Sequence, residues 1–214
     1  MSKIEPSLVV TPVARLLIFS AANEATPFID PKTKKEKGDK MYRATLLIPV
    51  SENIDAIKAA MAKAAKIKNA DVASDGWKKC LKSGNKLIEK AIAKNPEKSA
   101  DRLSYYKDHW VIEAKSKFKP DFSKAVNGNA VEVVEEMVAR EFYSGCFVKA
   151  ELNFVATEIE GDPIARYISA YHNFLVKVKD GDRLGRKSRG EVFKGVLGGV
   201  SDQKVLEDDD DVAF

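Results

Sequence analysis

The sequence predicts a mixed β fold: a small Greek-key barrel carrying one helical insertion, followed by a disordered acidic end. Three observations point there. Two β-type segments open the chain and at least three more follow residue 105, each alternating apolar and polar residues. Between them, residues 54–94 switch to helical periodicity. The order is strands, one helical block, then strands, which fits a barrel better than alternating strand–helix units.

The elements follow in turn. LVVTPVARLLIF, 8–19, reads as a strand whose pairing starts after Pro12. ATPFIDPKTKKEKGDK, 25–40, carries two prolines, a glycine and five lysines, and reads as a long exposed loop. MYRATLLIPV, 41–50, is a second strand, ended by Pro49. In IDAIKAAMAKAAKIK, 54–68, Ile54, Ile57, Met61, Ala64 and Ala65 fall on one helical stripe with lysines opposite. GWKKCLKSGNKLIEKAIAK, 76–94, predicts a second helix with Trp77, Leu81, Ile88 and Ile92 inward and Gly84 weakening its middle. The insertion spans about 52–100.

Residues 105–121 return to period two, with Trp110, Ile112 and Ala114 on one face. Asn127–Gly128 is a turn, and 129–141 fits a short helix or a strand equally. EFYSGCFVKAELNFVATE, 141–158, gives the clearest strand: Cys146, Val148, Ala150, Leu152 and Phe154 on one face, Phe147, Lys149, Glu151 and Asn153 on the other. Residues 164–181 form a last strand region. The barrel domain is expected over 1–200 and the disordered tail over 201–214.

Charge and cysteine usage narrow the function classes. Formal net charge is +4, of which Glu207–Asp211 contribute −5, so the rest of the chain carries +9. A basic body with an acidic end points to a polyanion partner and a tail that competes for it. Cys80 and Cys146 form no disulfide framework, and with His109 and His172 they lack zinc-site spacing, so no metal or cofactor is expected. The N-terminal residues lack the apolar run of a signal peptide, and no apolar stretch is long enough to span a membrane. A cytoplasmic setting is expected.

Phosphate-binding glycine motifs are missing. His109 beside Trp110 and His172 on a strand read as packing residues rather than bases, and no catalytic residue is assigned. Asp101, Asp108 and Glu113 are the carboxylates a metal-dependent nuclease would use, but their spacing does not support one.

Lysines and aromatics interleave in KSKFKPDF at 115–122, FVK at 147–149 and RYISAY at 166–171. Single-strand binders need such a mixture: cations track phosphates and aromatic faces stack bases, at roughly 1–3 kcal/mol per base. The candidate contacts are Lys32, Lys34 and Lys35 of the basic loop, Arg43, Lys115, Lys117, Phe118, Phe122, Phe147, Lys149, Tyr167, Tyr171, Arg186 and Arg189. Phe118 and Phe122 are expected on the surface. Phe147 either stacks bases beside Lys149 or lies under the helical block. Asp208, Asp209, Asp210 and Asp211 carry charge at about nucleic-acid density and would fold back on the basic body. Phe214, with its α-carboxylate, would dock on a partner protein.

Four stretches carry a family resemblance: YRATLLIPV at 42–50, HWVIEAKSKFKPD at 109–121, EFYSGCFVKAELNFVA at 141–156 and VKVKDGDRLGRKSR at 176–189. With the acidic tail behind them, the chain resembles phage-encoded single-stranded-DNA-binding proteins with an oligonucleotide-binding (OB) fold, and more distantly the T7-type proteins of that class. The resemblance is weakest over 54–100. It implies a five-stranded OB barrel that binds single-stranded DNA without strong sequence preference. It also implies service to phage replication or recombination, a tail that contacts replication enzymes, and placement in the host cytoplasm; a homodimer is compatible with it. Bacterial single-strand binders also end in acids and Phe, but DDVAF lacks their Pro-Phe ending. Two other readings stay open: a metal-dependent nuclease, and an interaction module without DNA affinity.

Overall fold

The structure is a computed structural model and describes residues 7–29, 33, 35–67, 77–95, 104–158 and 166–184. By contact the chain divides into two units, Met1–Leu184 and Gly185–Phe214; the second lies outside the described residues, as does the predicted disordered tail.

The first barrel strand comes in two pieces, β1 (Ser7–Val10) and β2 (Ala14–Leu16). The break falls at Pro12, which has no N–H for the ladder. Thr11 covers the gap: its N–H donates to Ala150 O at 2.9 Å and its hydroxyl accepts from Ala150 N at 3.0 Å. Pairing therefore begins before the proline, not after it as expected. A single helical turn, α1 (Ser20–Asn23), leads to β3 (Thr26–Ile29), which pairs with the start of the 14-residue β4 (Glu36–Pro49). The lysine-rich stretch read as a loop is thus largely a hairpin extending the barrel strand.

Next come α2 (Asp55–Lys66), β5 (Lys78–Lys79), β6 (Leu81–Ser83) and α3 (Gly84–Lys94). Then follow β7 (His109–Ser116), β8 (Asp121–Val126), β9 (Asn129–Glu132), α4 (Glu135–Glu141), β10 (Phe147–Glu158) and β11 (Arg166–Lys179). The segment after Asn127–Gly128 is both of the alternatives weighed, strand β9 and then helix α4. Its turn has positive φ at both residues, 50° and 81°, as a tight hairpin requires.

The barrel closes through β10, β2, β4, β7 and β11, with β10 pairing back onto β11 over twelve residues. This is a five-stranded OB barrel with a helical insertion. Strand alternation sends Leu46, Ile48, Ile112, Ala114, Val148, Ala150, Leu152, Phe154, Ile168 and Leu175 into one core. The apolar face of α2 (Ile57, Ala60, Met61, Ala64 and Ala65) joins it against β1 and β10.

The second predicted helix is half strand. Residues 77–83 are extended, and α3 starts at Gly84 with Ser83 as its N-cap accepting from Lys86 N. Gly84 opens the helix rather than weakening its middle. A Cβ there would sit 1.9 Å from Tyr106 O and 2.8 Å from His109 O, so only glycine fits the close approach. Trp77 is buried as predicted, whereas Ile92 is exposed.

Candidate nucleic-acid interface

The barrel strands β7 and β11 pair directly at only one point, Ala170 opposite Ala114. Beyond that point they diverge, and the strap Lys78–Ser83 fills the gap. It runs parallel to β11 (Tyr167 opposite Lys78) and antiparallel to β7 (Leu81 opposite Ile112). Cys80 joins the two sides: its N–H donates to Ile168 O at 3.0 Å and its carbonyl accepts from Glu113 N at 3.4 Å. Burial pushes the Cys80 thiol up to about 11, so it stays protonated and inert.

The strap and α3 form one wall of a groove of about 800 Å³ over the outer faces of β4, β7 and the start of β11. Seven cations line it: Arg43, Lys78, Lys79, Lys82, Lys86, Lys90 and Lys115. Its single acid among the described residues, Glu113, pairs with Lys82 at 2.6 Å. Tyr167 supplies an aromatic ring, with Lys78 Nζ 5.0 Å from its centroid. Lys86 and Lys90 reach the groove because residues four apart share a helix face.

The predicted residues distribute unevenly around the barrel. Arg43, Lys115 and Tyr167 meet in the groove. One nitrogen of Arg43 also donates to Thr26 O at 2.7 Å and Thr26 Oγ1 at 2.8 Å, holding β3 against the barrel. Beyond the end of β7, Lys117 pairs with Asp39 at 2.6 Å across two exposed side chains. This contact raises the Lys117 pKa and lowers that of Asp39, with Tyr171 near enough to contribute to the former. Phe118 follows, 82% exposed. Lys35 is also exposed.

Phe147 and Lys149 lie elsewhere. Phe147 pairs with Lys179, ten positions along β10 from the Thr157–Tyr167 pair, or about 33 Å at strand rise. It is half-buried, neither under the helical block nor free. Lys179 Nζ lies 4.5 Å and Arg15 Cζ 5.8 Å from its ring centroid.

Phe122 corrects the surface expectation. Parallel pairing of β8 with β11 sets Phe122 opposite Leu175 and turns it inward. It is 4% exposed, with its ring 4.9 Å from that of Phe142 and 6.2 Å from that of Phe19. It cannot stack a base without unfolding that cluster. Lys32, Lys34, Arg186, Arg189, Asp208–Asp211 and Phe214 lie outside the described residues.

Lys78, Lys79, Lys82, Lys86 and Lys90 were not singled out from sequence. The spacing of Lys82, Lys86 and Lys90 in KKCLKSGNKLIEK was the available signal. Asp101 lies outside the described residues. The Asp108 carboxylate accepts from Asn85 Nδ2 at 3.2 Å, and Glu113 faces Lys82. Among the described residues no group of three or more His, Cys, Asp or Glu could hold a metal ion, and no helix is long and apolar enough to cross a membrane.

In an OB barrel, the faces of strands two and three, here β4 and β7, are the surface used to bind oligonucleotides and oligosaccharides. A cationic groove with an aromatic at that place has the chemistry of the nucleic-acid-binding class of OB proteins. The family model described as "Enterobacter phage Enc34, ssDNA-binding protein" matches residues 26–205, and the chain belongs to that family. Among solved structures, it is similar to the single-stranded DNA-binding protein of bacteriophage Enc34 in complex with ssDNA. The two share 20% identity over 84% of this chain and 90% of that one, with a TM-score of 0.56. A second structure of the bacteriophage Enc34 single-stranded DNA-binding protein aligns at 21% identity over 87% of this chain and 90% of that one, TM-score 0.52. Bacteriophage T7 gp2.5, a single-stranded DNA-binding protein, aligns at 7% identity over 94% and 100%, TM-score 0.45. No curated protein sequence matches the chain.

Proposed function

We propose that this protein binds single-stranded DNA, without strong sequence preference, in the groove between α3 and the β4–β7 face, in the service of phage DNA replication or recombination. The observation that carries this reading is the charge of the groove: among the described residues seven cations against one acid, on the binding face of an OB barrel, in a chain of this family. The lysines neutralise phosphates, and Tyr167 offers a face for a base. Phe118, bare between Lys117 and Lys119 just past β7, extends the stacking surface.

The acidic tail regulates that groove and recruits partners. Glu207–Asp211 carry charge opposite to that of the groove cations, so they compete with DNA for the groove in cis. DNA displaces the tail and frees Phe214 for replication proteins.

The test is fluorescence anisotropy with labelled oligo-dT across a salt series, for the full chain and for a version ending at Val205. The reading expects tighter binding by the truncated protein, with a gap that shrinks as salt rises. Absence of binding by both would overturn it.

A further inference from the structure

The groove segregates its chemistry. Lys78, Lys79, Lys82, Lys86 and Lys90 all come from the strap and α3, the wall. The floor, from β4, β7 and β11, presents Thr45, Glu113, Ser169 and the Tyr167 hydroxyl, with Arg43 and Lys115 paired across β4 and β7 at one end. A single strand that lays its phosphates along the lysine wall turns its sugars and bases over this floor. Glu113 enforces that orientation, because a carboxylate repels any phosphate brought against it.

We propose that Glu113 reads the base above it and gives the groove a modest preference for guanine. This rests on the groove being the single-strand site. Glu113 projects from the centre of β7, opposite Thr45 on β4, with its side chain 56% exposed to the groove. Lys82 holds it in place through Oε2 at 2.6 Å, and among the described residues no side chain bonds Oε1. An ionised carboxylate only accepts hydrogen bonds. Guanine alone presents two donors side by side on its Watson–Crick edge, N1–H and N2–H₂, which match the two carboxylate oxygens as the Arg fork does. Cytosine and adenine offer one amine each, and thymine only N3–H. Lys82 lies on the wall side of Glu113 and takes one lone pair of Oε2, so Oε1 and the second lone pair of Oε2 are left for the two donors of the base.

The experiment compares three oligothymidines by anisotropy: unmodified, with one central guanine, and with one central hypoxanthine, which keeps N1–H but lacks the amine. Wild type should bind the guanine strand about 5-fold tighter than the hypoxanthine strand, in the low range of a bidentate base contact. Glu113→Gln should bring that ratio to about one and tighten binding of the unmodified strand, because it removes a negative charge from the groove. A wild-type ratio near one, or a ratio that survives in Glu113→Gln, overturns the assignment. Lys86→Gln/Lys90→Gln separates the two levels of the argument. If it weakens all three strands, the groove is the binding site and the ratios judge Glu113 alone. If neither variant changes any absolute affinity, the groove reading falls and the proposal falls with it.

Discussion

Neutralising two wall lysines should change how binding depends on salt by an amount the groove itself sets. Of its seven cations, Lys82 is matched by Glu113, and one Arg43 nitrogen is committed to Thr26. Lys78, Lys79, Lys86, Lys90 and Lys115 have no carboxylate within ion-pair distance among the described residues. If each of the five meets one phosphate, the log–log slope of affinity against salt is about −3.5, at roughly 0.7 counterions per single-strand phosphate. Lys86→Gln/Lys90→Gln removes two and brings the slope to about −2.1. A fourfold rise in salt, from about 50 to 200 mM, then weakens wild type about 130-fold and the variant about 18-fold. Both side chains sit on the surface of α3 and Gln is a good helix former, so the fold is retained. Anisotropy titrations with oligo-dT measure both slopes. Equal slopes would refute the assignment of these lysines to phosphate.

Two further perturbations separate site from scaffold. Phe118→Ala should weaken single-strand binding roughly 5- to 150-fold while leaving stability within about 0.5 kcal/mol. Phe122→Ala should instead cost about 3–5 kcal/mol of stability by opening the cluster with Phe19 and Phe142; urea melts and titrations on both variants check the division. His172 sets an acid limit on the barrel. It is 1% exposed, neither ring nitrogen has a partner among the described residues, and burial lowers its pKa to about 4. The folded state keeps it neutral while the unfolded chain protonates it near its ordinary value of about 6.5. Stability is therefore lost as pH falls from about 6.5 to 4, by about 2 kcal/mol at pH 5 relative to pH 7. His172→Leu should lose less than wild type between those two pH values by that amount, and equal losses in urea melts would contradict the burial argument.

The alternation in 141–158 legibly placed Cys146, Val148, Ala150, Leu152 and Phe154 inside, because strand geometry leaves a half-buried strand only two faces. The helical stripe of 54–68 was legible for the same kind of reason: Ile57, Met61, Ala64 and Ala65 repeat at the period that one buried face demands. The aromatic–lysine runs supplied Lys115 and Tyr167, beside Arg43 from the second strand segment, but could not tell Phe118 from Phe122. Both stand among lysines, and only the pairing of β8 with β11 turns one inward and leaves the other bare. Residues 76–94 misled for a related reason. Their apolar spacing suits a helix, yet the gap between β7 and β11 offered unpaired backbone that the segment satisfies as a strap, and backbone hydrogen bonding outweighed local periodicity. That substitution placed the lysines of 78–90 along the groove. The sequence by itself determined the barrel class, the basic body and the residue types suited to a polyanion. Which cations converge was decided by the tertiary structure alone, because convergence depends on pairings between strands more than fifty residues apart in the chain, such as β5 with β11.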